Sequence, residues 1–216
     1  MAATLASELQ KAAEGVAAHL PEAAKNVIFG AREGIQQKFD IKSTIQPGEK
    51  LPDFILSDAR GEPVSSVDLL AKGPVLITFY RGGWCPFCNL ALRAFQQRLE
   101  EFQARGVTLV AITPEQPDSS LTTAEKNELK FPVLTDDGLK LANKLGIVWT
   151  QPEDLVATLN GVGIDLEKRN GNGSAEMVIP TTLLVDQKGV VRNIFAEADW
   201  MKRLEPQEAV NWVNAL

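Results

Sequence analysis

The stretch YRGGWCPFCNLAL, Tyr80–Leu92, holds both cysteines of the 216-residue chain in a C-x-x-C spacing. Just upstream, PVLITFY is an unbroken apolar run of strand length. Pro86 has the fixed φ that suits the first turn of a helix. Cys85 is therefore expected at the carboxyl end of a buried strand and at the N-terminus of a helix. Ligands of α/β proteins gather at such strand ends, and a helix N-terminus offers free N–H groups and partial positive charge to a thiolate. An ordinary thiol ionises near pH ~8.5, and sites of this kind lower that to roughly 3.5–7.5. The helix dipole accounts for up to ~2 kcal/mol of this, between one and two pKa units. Arg81 adds to it if its side chain turns toward the sulfur. Cys88, one turn on, falls within the stripe Ala91, Leu92, Phe95, Leu99 and Phe102. The expectation is an exposed, acidified Cys85 backed by a covered Cys88, a pair suited to reversible disulfide chemistry.

Outward from this junction the chain reads as an α/β alternation. VTLVAIT is a second buried strand after a helix over 86–105, and FPVLT is a short third strand after a helix over 118–129. A helix over 138–144 follows. TTLLVD and VVRNIF flank a turn at 187–189, and a last helix covers 206–215. This pattern predicts a mainly parallel sheet closed by an antiparallel hairpin. The segment 149–178 is long for a plain connection, so it either shapes a pocket or partner surface or is a surface insertion. Before STIQPGEKLP (43–52), a turn-rich linker, two helical stripes stand out: Leu5, Leu9, Ala12, Val16 and Leu20, then Ile28, Ala31, Ile35 and Phe39. The expected organisation is an N-terminal helical extension, 1–46, and an α/β domain, 47–216. The extension's apolar stripes suit packing on its own domain or homodimer formation.

Composition narrows the functions. Hydrophobic content of 44% and charged content of 23% are those of a globular protein with a real core. A net charge of −6 argues against nucleic acid or an anionic membrane as main partner. No run is long enough to span a bilayer, and no leader pattern opens the chain, so a reducing, cytoplasmic location is expected. There a C-x-x-C is catalytic or metal-binding rather than structural. A zinc site needs about four ligands, and the chain offers two thiols and the single, distant His19. No metal or other cofactor is expected, and His19 reads as a surface or helix-packing residue.

The blocks PGEKLPDFILSDARGEPVSSVDLL, ITFYRGGWCPFCNLALRAFQ, VTLVAITPE, FPVLTDD and IPTTLLVDQKGVVR, in this order, resemble the AhpC/TSA (peroxiredoxin-like) family of the thioredoxin superfamily. Within it the chain looks most like the branch that carries C-x-x-C. The resemblance implies a thioredoxin-like fold, a central mixed β-sheet flanked by helices, beside the N-terminal extension. It also implies a thiol peroxidase or thiol-disulfide oxidoreductase that cycles Cys85 and Cys88 and is regenerated by an external thiol reductant of thioredoxin or glutathione type. Its substrate would be a small peroxide or a disulfide. In the family pattern P-x-x-x-T-x-x-C the final cysteine attacks peroxide, which places that role on Cys88. Cys85 then stands at the threonine and Arg81 at the proline. The family's later arginine would fall near Pro180, where none stands, and Arg192 is the candidate substitute. In the thioredoxin register, Trp84 and Cys85 match W-C-x-x-C with Cys85 attacking, and Ile179-Pro180-Thr181 resembles the cis-proline segment that holds substrate. Arg81, Trp84, Pro180 and Thr181 are the expected substrate-binding residues. The two registers disagree about which sulfur strikes first. A third reading keeps the fold but assigns it to binding or a biosynthetic step without redox turnover.

Overall fold

The apolar run before the cysteines forms β3 (Val75–Phe79), with every residue buried. It is an interior strand of a seven-stranded sheet in a computed structural model that describes residues 4–171 and 173–216. The other strands of that sheet are β1 (Ile55–Asp58), β2 (Pro63–Ser65), β4 (Thr108–Thr113), β5 (Val133–Thr135), β8 (Thr181–Val185) and β9 (Val191–Ala196). Their order is β2-β1-β5-β4-β3-β8-β9. Only β3–β4 and β4–β5 pair in parallel, and the remaining neighbours are antiparallel. The sheet is therefore mixed, and the expectation of a mainly parallel one is corrected. Strand β8 runs antiparallel beside β3, and β1 folds back on β5, so antiparallel edges flank a short parallel centre.

Helices cover the sheet: α3 (Ser66–Lys72), α4 (Pro86–Gln97), α5 (Leu99–Gln103), α6 (Pro117–Lys126), α7 (Lys140–Lys144) and α10 (Pro206–Asn214). The single helix expected over 86–105 breaks at Arg98, whose backbone leaves the helical region at φ −108°, ψ 7°. Helix α4 turns Phe87, Cys88, Ala91, Leu92 and Phe95 inward, the stripe read from the sequence. Segment 149–178 is not a bare loop. It carries α8 (Glu153–Gly161) and α9 (Leu166–Asn170), and β7 (Met177–Val178) pairs with β6 (Val148–Trp149). Asn172 lies outside the described residues. Leu155, Leu159, Leu166 and Met177 form a small second core against Val27, Ile28, Ala31 and Trp84.

The N-terminal helices α1 (Leu5–His19) and α2 (Glu22–Lys38) use their apolar stripes within the chain. Leu5, Leu9 and Ile35 join the main core, α1 lies against α4, and α2 lies against α8. Polar ties fix both helices to the connection 197–205 between β9 and α10. Glu205 caps α1, accepting from Leu5 N at 3.2 Å and Ala6 N at 2.7 Å. On α2, Arg32 Nε donates to the buried Asp199 Oδ1 at 2.7 Å. His19 is exposed, and its Nδ1 bonds to Gly15 O of its own helix at 2.7 Å. Among the described residues no helix is long and apolar enough to cross a membrane.

Candidate active site

Cys85 is the N-cap of α4 and begins where β3 has just ended, as the sequence predicts. The loop between them, 80–84, is tied back on itself: Cys85 N donates to Gly82 O at 3.1 Å, while Cys88 N and Asn89 N donate to Cys85 O. Both thiols are free. The expected exposure difference is absent, since Cys85 is 1% and Cys88 0% accessible. The physical reason lies outside the motif: the N-terminal extension and segment 149–178 both pack around Trp84 and α4.

The two sulfurs differ in charge rather than in exposure. Burial pushes the Cys85 thiol well up, and the hydrogen bond it gives to Cys88, with the negative charge there, pushes it further. For Cys88 burial acts against ionisation but is outweighed by the Cys85 hydrogen bond, by Arg203 and Arg81, and by the Arg81 backbone N–H. Its pKa therefore lies well below that of an ordinary thiol. Proximity to a helix N-terminus favours Cys85, yet that contribution is limited to about 2 kcal/mol. Arg203 and Arg81 favour the charged form of both sulfurs, while the hydrogen bonds from the Cys85 thiol and the Arg81 N–H single out Cys88.

Arg203 is the residue that sequence reasoning missed. Its Nη2 donates to Cys88 Sγ at 3.2 Å. Nη1 is held by the carbonyls of Trp200 at 2.5 Å and Lys202 at 2.6 Å, which fix the side chain against the sulfur. The proposed substitute, Arg192, is corrected. It donates to Asp186 Oδ2 at 2.8 Å, where Val191 pairs with Val185 and Val185 with Val75. That is the far end of β3, about 13 Å along the strand from Phe79 at ~3.3 Å per residue. No spacing signal marks Arg203, because it lies in an irregular connection 115 residues beyond Cys88.

Of the expected substrate-binding residues, Arg81 and Trp84 are at the sulfurs. The buried Arg81 guanidinium stacks over Trp84 at 4.8 Å and over Trp200 at 4.9 Å. Burial lowers its pKa while the two cysteines hold it up. Trp200 in turn stacks on Trp149 at 5.8 Å. Thr181 begins β8 opposite Phe79, at the site end of the sheet, but its hydroxyl is turned back to Ile179 O at 2.8 Å. The Ile179–Pro180 peptide is trans, since no cis bond occurs among the described residues. The cis-proline expectation is corrected: pairing of β8 with β3 starts directly at Thr181.

Two arginines beside a buried pair of free cysteines, at the end of a thioredoxin-type sheet, define a class of thiol-based oxidoreductases. The family comparison specifies it: the model of the AhpC/TSA family matches residues 47–194, and the chain belongs to that family. Peroxiredoxin Q of Sedum lineare is 33% identical over 135 residues, 62% of this chain and 70% of that protein. Peroxiredoxin Q of Populus jackii is 30% identical over 158 residues, 73% of this chain and 63% of that protein. The thiol-disulfide oxidoreductase ResA of Halalkalibacterium halodurans is 26% identical over 141 residues, 65% of this chain and 77% of that protein. Among solved structures, peroxidoxin BcpB from Mycobacterium tuberculosis superposes with a TM-score of 0.63 at 21% identity, covering 80% of this chain and 98% of that one. That last likeness concerns the fold alone.

Proposed function

We propose that the protein is a thiol peroxidase in which Cys88 attacks and Cys85 resolves. The observation that carries this reading is Arg203 Nη2 at 3.2 Å from Cys88 Sγ, with Arg81 beside it. The Cys88 thiolate attacks the terminal oxygen of a hydroperoxide, and the O–O bond breaks. The leaving alkoxide or hydroxide takes up a proton, and Cys88 becomes a sulfenic acid. Arg203 and Arg81 stabilise charge on the oxygens as the bond parts. Cys85, which keeps its proton at neutral pH, then condenses with the sulfenic acid to give the disulfide and water. An external dithiol or two equivalents of a thiol, of thioredoxin or glutathione type, returns the pair to the reduced state. A cavity of about 720 Å³ between α1 and the 197–205 connection has Arg203 in its wall, with Leu9, Ala13, Phe29, Phe195 and Met201 as apolar lining.

Stopped-flow Trp fluorescence with hydrogen peroxide tests the proposal, because Trp84 lies against the reacting loop. The expected result is a fast change at one equivalent of peroxide. A rate no higher than that of free cysteine would refute it.

A further inference from the structure

Segment 149–178 reaches the redox loop through one buried carboxylate. Glu115, just beyond β4, has a fully buried side chain. Its Oε2 accepts from Gly83 N at 2.7 Å, and its Oε1 faces Arg169 Nη1 on α9 at 3.4 Å. Gln116 fastens the same end of α9, donating from its N to Arg169 O at 3.0 Å and from Nε2 to Asn170 O at 2.8 Å. The fit under the loop depends on two glycines. A Cβ on Gly82 would stand 2.8 Å from Glu115 Cδ, and one on Gly83 would stand 2.0 Å from Thr123 Oγ1. A buried carboxylate needs partners to offset its lost hydration, and here they are the loop N–H and the α9 guanidinium.

We propose that Glu115, clamped by Arg169, is a positioning residue for the reacting pair: by accepting from Gly83 N it fixes loop 81–85, and so aims the Arg81 N–H and the Cys85 thiol at the Cys88 sulfur. Segment 149–178 is then a brace for the redox loop rather than a passive insertion. The groups facing Cys88 are Cys85, Arg81, Arg203, Tyr80 and Glu115, and those facing Glu115 are Arg169, Tyr80 and Cys88. Charge alone and positioning give opposite signs. Removing a neighbouring negative charge lowers the pH at which Cys88 ionises, whereas losing aligned donors raises it.

The proposal rests on Cys88 as the ionised thiol, but its readout needs no peroxide, so it can fail while peroxidase activity stands. The test is the pH midpoint of Cys88 alkylation by iodoacetamide, read by peptide mass spectrometry on the full chain. Glu115→Ala is expected to raise the midpoint by roughly half to one pH unit, the size of one lost hydrogen bond. Glu115→Gln, which keeps an acceptor for Gly83 N, leaves it unchanged or lower, and Arg169→Ala raises it part of the way. A lowered or unchanged midpoint in Glu115→Ala, or an equal rise in Glu115→Gln, overturns the proposal. If Glu115→Ala does not fold, Arg169→Ala decides it: a native midpoint there overturns it as well.

Discussion

Replacing Arg203 with Met removes a charged donor from the Cys88 sulfur while keeping most of the side-chain volume. The contact is 3.2 Å long. Coulomb attraction at that distance with an effective dielectric of 20 has a ceiling of about 5 kcal/mol. Hydrogen bonds to charged groups are worth ~1.5–3 kcal/mol net, or about one to two pKa units. The sign follows from the direction of the shift: the donor depresses the Cys88 pKa, so its loss moves ionisation to higher pH. Reactivity is then lost from the acid side first and kept at alkaline pH. Alkylation of the Cys88 peptide against pH is expected to show a midpoint raised by about one to two units. The rate with hydrogen peroxide at pH 7 should fall by ~10–100-fold, chiefly because the arginine no longer stabilises charge on the departing oxygen, while alkylation above both midpoints stays native. Arg203→Met with a native midpoint and peroxide rate would refute the assignment of the arginine.

Further outcomes follow from the same contacts. Cys85→Ala removes a donor to Cys88 and the resolving thiol; peroxide consumption should stop after one equivalent, with the Cys88 midpoint raised. Asp199→Asn breaks the pair with the partly exposed Arg32 and should cost about 1–3 kcal/mol in urea unfolding at pH 7. The Asp199 carboxyl is depressed despite its burial, chiefly by the Arg32 hydrogen bond. Its contribution is therefore full above the ordinary carboxylate range and lost as pH falls through the folded pKa, so native and variant curves should converge in acid. Gly82→Ala, at φ +148° with its Cβ 2.5 Å from Trp84 Nε1, should destabilise by ~1–3 kcal/mol and slow the peroxide reaction; native stability and rate together would contradict the packing described.

The strand-to-helix junction was legible because each of its parts has a local signal: an apolar run, a proline at the first turn, a stripe at helical spacing. The positions of β3, α4 and β8 followed from those signals. What the sequence could not show is cover. Cys85 looked exposed because the motif carries no trace of α2 or α8, which close over Trp84 from 50 or more residues away. Nor could spacing reveal Arg203, since an irregular connection places its side chain by tertiary contacts with Trp200 and Lys202 rather than by periodicity. The proposed order of attack rests on those distant groups, which a helix-dipole argument confined to 80–92 does not include. Arg192 misled for the converse reason: it is close in sequence to the expected arginine position but stands at the opposite end of the sheet.

The central claim is that Cys88 strikes first, and the direct measurement is mass spectrometry of the two Cys→Ser variants after limiting hydrogen peroxide, with a sulfenic-acid trap. Cys88 in Cys85→Ser should carry the trapped adduct, and Cys85 in Cys88→Ser should carry none. An adduct on Cys85 alone would contradict the account.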